Sequence, residues 1–303
     1  MTSFSARTFS GFRITIISLI AVFFIAAGCS RTAAAAPDSA GIPPTIGKII
    51  SSSPSNTEIT VGLGMGEFLI AIDKYSGNIP GLPAGLTEID FFYPDIEAII
   101  GLNPDIILVN EINSYGVADN PFKLLGDLGI KVVNVPASNS IDGICGDIML
   151  VAEALGVKDR GEILVKSMKD EIAEIIAAVE SADGHNRKSV YFEIASIPTL
   201  VTFGQGVYIN EMIEIAGGRN IFTDQKGWFS ASEEEIINRN PDIIFVLVYH
   251  GSDIITDVYS RGAFRNINAV KEGRVYSINE DSAARASHNI MKALREMARI
   301  LND

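Results

Sequence analysis

Few residues in this 303-residue chain suit metal or covalent chemistry: three histidines and two cysteines. His185, His250 and His288 lie far apart and match no HExxH spacing. His185 falls at the end of a helical stretch, so a three-histidine metal site is not expected. There is no G-x-S-x-G elbow and no Walker loop. The nearest thing to a nucleophile is SSSPSNTE (51–58), where Ser55 reads as a cap for the following helix. Cys145 sits in an apolar helical run, and without a second thiol in the mature chain it forms no internal disulfide. No catalytic constellation emerges, and a binder is expected rather than an enzyme.

Charge gives a sharper signal. EAIIGLNPDIILV (97–109) and EEIINRNPDIIFV (234–246) agree at nine of thirteen positions, at a constant offset of 137 residues. Each opens on a glutamate, Glu97 or Glu234, one or two residues inside a helix capped by Asp95 or Ser232. Ser232 and Glu235 have the spacing of a capping box. Asn-Pro stops each helix, and Asp-Ile-Ile begins a β-branched run of the kind buried on both faces of a parallel sheet.

The elements around each block repeat in kind. Residues 47–72 read strand, helix, strand; 122–156 read helix, strand, helix; 189–194, 243–248 and 274–278 are further strands, and 289–301 a last helix. Such alternation predicts an α/β protein of two Rossmann-like lobes with parallel sheets. Leu164, Met168, Ile172, Ile175 and Val179 recur at helical spacing between the lobes. They predict one long bridging helix over 158–184, separating a first lobe (47–157) from a second (185–303). A single helix is a stiff connection, so only small closure is expected.

The chain start reads as an export signal. Arg7 and Arg13 precede the apolar run ITIISLIAVFFIAA (14–27), and AAGCS (26–30) suits lipidation of Cys29. The alternative is ordinary cleavage within AAAAP (33–37). Thus 1–28 is expected to be a lipoprotein signal peptide and 29–46 a flexible tether, with an exported, lipid-anchored protein in the cell envelope or periplasm. Net charge is −13, and −15 without Arg7 and Arg13, which argues against a nucleic-acid partner.

In order, SSSPSNTE, the two E…NPDII blocks, AGGRNIF (216–222), GWFSASEEEII (227–237) and AVKEGRVYSI (269–278) resemble the substrate-binding proteins of ABC importers for cobalamin, haem and iron-siderophores. The resemblance covers about residues 47–303 and implies a ligand cleft between the lobes, no resident cofactor, and a permease–ATPase complex as partner. It places Glu97 and Glu234 as the two carboxylates that dock on permease arginines. Metal chelatases share a related bilobal shape, but no catalytic set accompanies it here.

A cleft for a flat macrocycle needs aromatic faces and a few polar groups. Candidates are Tyr75, Phe91, Phe92 and Tyr93, with Glu111 and Asn113, from the first lobe. The second offers Phe203, Tyr208, Trp228, Phe229, Tyr249 and His250. By resemblance, Tyr75, Trp228 and Arg285 (in AARAS, 283–287) stand where cobalamin binders carry their tyrosine, tryptophan and basic residue. The tryptophan expected ahead of the first docking glutamate is replaced by Phe91-Phe92-Tyr93. A corrinoid is the expected ligand. A ferric siderophore or haem is the alternative: by resemblance, haem binders supply a histidine or tyrosine to iron, and Tyr75, Tyr93, Tyr249 and His250 are of those types. A bare metal ion is less expected, since the His-rich loop of zinc-binding relatives is lacking.

Overall fold

The computed structural model describes residues 46–111, 121–181, 187–248 and 253–303, all within the compact unit Pro43–Asp303. The expectations at Cys29, the signal peptide, Asn113, His185, Tyr249 and His250 lie outside the described residues.

The chain runs β1 (Ile49–Ser51), α1 (Pro54–Gly62), β2 (Leu69–Asp73), β3 (Thr87–Ile89), α2 (Ile96–Gly101), β4 (Ile106–Asn110), α3 (Lys123–Asp127), β5 (Lys131–Val135) and α4 (Ile141–Ala154). The long helix α5 (Lys158–Ser181) follows. Then come β6 (Ser189–Glu193), β7 (Leu200–Phe203), α6 (Tyr208–Ile215), β8 (Arg219–Asn220), β9 (Trp228–Ala231), α7 (Glu233–Arg239), β10 (Ile243–Val248), α8 (Ile254–Ser260), α9 (Asn268–Lys271), β11 (Val275–Asn279), α10 (Glu280–Ala284) and α11 (Ile290–Asn302).

The first sheet has the order β3-β2-β1-β4-β5 and the second β11-β10-β6-β8, both parallel. This is the expected α/β class with a long helix between two sheets. The 24 residues of α5 span about 36 Å. Met168 on α5 is buried, and Leu164, Ile172 and Ile175 lean on the same apolar cluster. That cluster takes in Ile59 of α1 and Leu63 at its C-terminal cap, Ile148 of α4, Tyr208 and Met212 of α6, and Leu294 of α11, so it joins elements from both ends of the chain.

The repeat explains itself residue by residue. Ile99 and Ile236 are fully buried, as are Ile107 with Ile244 and Val109 with Val246. Asn103 and Asn240, at φ 50° and 44°, are the two non-glycine residues with positive φ among those described. Asparagine tolerates this left-handed conformation better than most side chains, and here it ends the helix ahead of proline. Asp105 accepts from the backbone N–H groups of Gly47 (2.8 Å) and Lys48 (2.9 Å) at the start of β1. Asp242 accepts from the N–H (2.9 Å) and hydroxyl (2.6 Å) of Ser189 at the start of β6. In each sheet the repeated aspartate therefore pins the neighbouring central strand. The repeated glutamates serve no such internal role, and both Glu97 and Glu234 are exposed.

Candidate functional site

In parallel sheets the ligand end lies beyond the strand C-termini, at the point where strand order reverses. In the first sheet that point is between β1 and β4. The residues there are polar. Asn110 closes β4, its N–H donating to Ser52 Oγ at 2.8 Å. Asn56, in the first turn of α1, donates from Nδ2 to the Leu108 carbonyl at 3.2 Å. Ser53, not Ser55, is the N-cap: it accepts from the Asn56 N–H, and Pro54 takes the first helical position. Ser55 is left facing the cleft.

Two cavities open here and share Ser55 and Asn110. The inner one, of about 280 Å³, is walled by Asn56, Ile59, Ser138 and Asp147 from the first lobe and by Ile194, Tyr208, Trp228 and Leu247 from the second. The outer one, of about 220 Å³, lies under Tyr75, Phe91 and Phe92, with Asp73 and Lys74. These volumes suit parts of a ligand; a whole drug-sized ligand takes roughly 300–1,000 Å³.

The expected aromatics divide. Phe92, 62% exposed, and Tyr75, 57%, stand on the outer cavity. Phe91 is first a core residue: it is 3% exposed and packs on Phe122 with ring centroids 6.3 Å apart. Tyr93 is 87% exposed and lines neither cavity. Trp228 and Phe229 lie not on a loop but on β9, which pairs antiparallel with β7. Alternate strand residues face opposite sides. So Phe229 meets Phe222 in the core (5.2 Å), while Trp228, edge-on to Phe203 at 5.4 Å, faces the inner cavity. Tyr208 also lines that cavity, but its hydroxyl is committed to the Ala283 carbonyl at 2.8 Å, and burial raises its pKa.

The expected basic residue is occupied. Arg285 donates to Glu58 Oε1 (3.2 Å) and Asn78 Oδ1 (2.9 Å) and pairs with Asp281 (2.7 Å). It lines neither cavity, and neither does Glu111. Lys74 is paired with Asp90 at 2.7 Å. The inner wall carries no lysine or arginine among its described residues.

Sequence reasoning missed Asn56, Asn110 and Asp147. Asp147 is 4% exposed on the apolar face of α4. Burial pushes its pKa up to about 6, against hydrogen bonds from Ser138 that lower it. A charged residue between Ile144 and Ile148 was the available signal.

The equivalent reversal point in the second sheet, between β6 and β10, is filled from within. Glu193 at the end of β6 is fully buried and accepts two hydrogen bonds from Arg261, both 2.7 Å. Arg261 also bonds Ser196 and Asp257. Among the described residues no cluster of His, Cys, Asp or Glu suits a metal ion. No helix among them is long and apolar enough to cross a membrane.

Comparison with known proteins fits this bilobal geometry. Residues 49–282 match the periplasmic binding protein family. An ABC transporter substrate-binding lipoprotein of Bacillus subtilis, YvrC, described as uncharacterized, is 31% identical over 83% of this chain and 78% of its own. A vitamin B12-binding protein of Photorhabdus laumondii is 25% identical over 84% of this chain and 88% of its own. The crystal structure of a possible iron-binding, periplasmic solute-binding protein from Staphylococcus epidermidis superposes with a TM-score of 0.73 at 31% identity, covering 84% of this chain and 98% of that one. The chain belongs to the periplasmic binding protein family, as a substrate-binding protein of ABC transporters. Proteins of this kind bind solutes and are not enzymes.

Proposed function

We propose that this protein captures a corrinoid of the cobalamin type between its lobes and delivers it to a membrane permease–ATPase complex. The observation that carries the choice is the cleft's chemistry. Trp228, Tyr75 and Phe92 give it aromatic faces from both lobes, which suits a flat macrocycle. Its polar groups are amides, hydroxyls and two carboxyls, Asp73 and Asp147, and its one lysine is already paired. A ligand bearing carboxylates, as haem and many ferric chelates do, would bury charge there without a cation. A corrinoid presents neutral carboxamides instead. The vitamin B12-binding relative supports the same choice. A ferric siderophore or haem is the second reading, favoured by the exposed Tyr75 phenol at the rim and by the possible iron-binding neighbour.

Export and anchoring through Cys29 form part of the proposal, supported by the AAGCS motif and by the lipoprotein relative. Docking through Glu97 and Glu234 is the other part. Both are exposed first-turn residues at equivalent places in the two lobes. The test uses Trp228, the only tryptophan in the chain. Titration of the mature protein with cyanocobalamin should quench its fluorescence saturably. Saturable quenching by haemin or a ferric siderophore, with none by any corrinoid, would transfer the protein to the second reading.

A further inference from the structure

The inner cavity contains an unmet demand for hydrogen-bond donors. Asn56 is fully buried in its wall, and its Oδ1 has no partner. Which end of the amide is unmet follows from the backbone: the other end faces the Leu108 carbonyl at 3.2 Å and must be the donor Nδ2. A carboxamide oxygen left unsatisfied in a buried wall is uncommon and costly. Asp147, in the same wall and nearly as buried, is a second acceptor; Ser138 meets part of its capacity. Ser55 and Asn110 add short polar side chains at the mouth toward the outer cavity. No basic residue lines the chamber, so the set accepts from a ligand and does not attract an anion.

We infer that this chamber is a donor-specific subsite, in which Asn56 Oδ1 and the Asp147 carboxyl receive the N–H groups of a primary carboxamide projecting from the bound ligand. This rests on the reading that the cleft holds the transported solute. It adds what the site selects: an amide-bearing limb in the inner chamber, with the aromatic walls left to the flat body. Isosteric carboxylate limbs are rejected, because they bring two further acceptors and a negative charge against Asn56 and Asp147.

Two probes test it. The first compares cyanocobalamin with its monocarboxylates, in which one side-chain amide is hydrolysed. At least one monocarboxylate should bind the wild type about tenfold or more weaker than the parent, the loss expected for a buried group left unpaired. That preference should collapse in Asn56→Leu and in Asp147→Leu, a change that general loosening of the fold does not produce. The second needs no corrinoid. Acetamide at millimolar concentration should shift the backbone NMR signals of Ser55, Asn56 and Asn110, acetate should not, and Asn56→Leu should abolish the effect. Corrinoid binding without amide–carboxylate discrimination overturns the subsite and leaves the proposed function standing. Acetamide-specific shifts without corrinoid binding do the reverse. Shifts alike for acetamide and acetate, or absent for both, overturn the subsite whatever the natural ligand.

Discussion

Arg285, just beyond α10 near the chain's end, is bonded to Glu58 of α1, with Nη1 3.2 Å from Oε1. The second carboxylate oxygen accepts from the hydroxyl of Ser287. Beside them, Asn78 donates to Asp281 at 2.8 Å. Close by, the His288 ring lies against Gly62, where even a Cβ would stand 2.4 Å from it. One corner of the cleft is thus a polar clasp between lobes. Arg285→Ala should leave a carboxylate of 5% exposure without its cation, and should destabilise the fold by about 3 kcal/mol, the lower end for a broken buried pair. Urea denaturation measures this. If Arg285 belongs to the clasp and not to the ligand site, corrinoid affinity well below the melting point should change less than about fivefold, under about 1 kcal/mol.

Glu97→Ala and Glu234→Ala should leave ligand affinity within about twofold and stability within about 1 kcal/mol, the ceiling for an exposed first-turn carboxylate. Transport in reconstituted vesicles should fall, furthest for the double variant. Under the proposed docking, replacing both with arginine should be worse than alanine, because like charges would then oppose the permease surface. Glu233 is the proper control. Glu235 is not, because its carboxylate caps the Ser232 N–H at 3.2 Å. Equal transport loss in Glu233→Ala would reduce the paired docking to a diffuse acidic patch.

The Glu193–Arg261 pair should be costly to break. Arg261→Met strands a fully buried carboxylate, and a loss of about 3–5 kcal/mol is expected. The double variant Arg261→Met, Glu193→Leu should recover much of it, since removing both charges spares their desolvation. Guanidinium denaturation of these two variants and of the single variant Glu193→Leu measures the coupling.

Two buried groups oppose each other as pH falls. Burial holds the His288 pKa down to about 4, from an ordinary 6.5. Its neutral form therefore adds stability above pH 6.5, which is lost as pH falls toward 4. Burial raises Asp147 from an ordinary 3.8 to about 6, so its contribution is full below 3.8 and lost as pH rises through 6. Asp147→Asn should thus steepen the loss of stability between pH 6.5 and 4, and His288→Gln should flatten it. Each effect is on the order of 3 kcal/mol at full extent, at about 1.4 kcal/mol per pH unit. Urea melts across that range read both slopes.

The repeated blocks were legible because a strand buried on both faces must be a continuous apolar run, and because Asn-Pro-Asp ends a helix audibly. The short edge strand β3, mostly exposed, and the antiparallel β7–β9 pair, whose strands are separated in the chain by α6 and β8, were not, since neither carries such a run. In the site the aromatics could be read from type, but not their division. Phe91 and Phe92 differ only in which side of the chain they leave. Asn56 and Asp147 stayed hidden because polar residues on helices are expected to face water. The clue lay in α1 itself: Asn56, Thr57, Glu58 and Thr60 are all buried in a helix too polar to seek burial for apolar reasons. Arg285 and Glu58, 227 positions apart, share no local pattern at all.

The filled reversal point in the second sheet gives the two halves an unequal share of the work. A buried ion pair occupies there the space that the first sheet leaves open, so the second half gives the inner cavity mainly apolar walls, Ile194, Trp228 and Leu247 among them, while the polar side chains Asn56, Asn110, Ser138 and Asp147 come from the first. Evolution toward a new cargo, or deliberate retargeting, is then confined mostly to β1, β4, α1, α4 and the loops between them. The opposite half could remain constant across proteins with quite different diets.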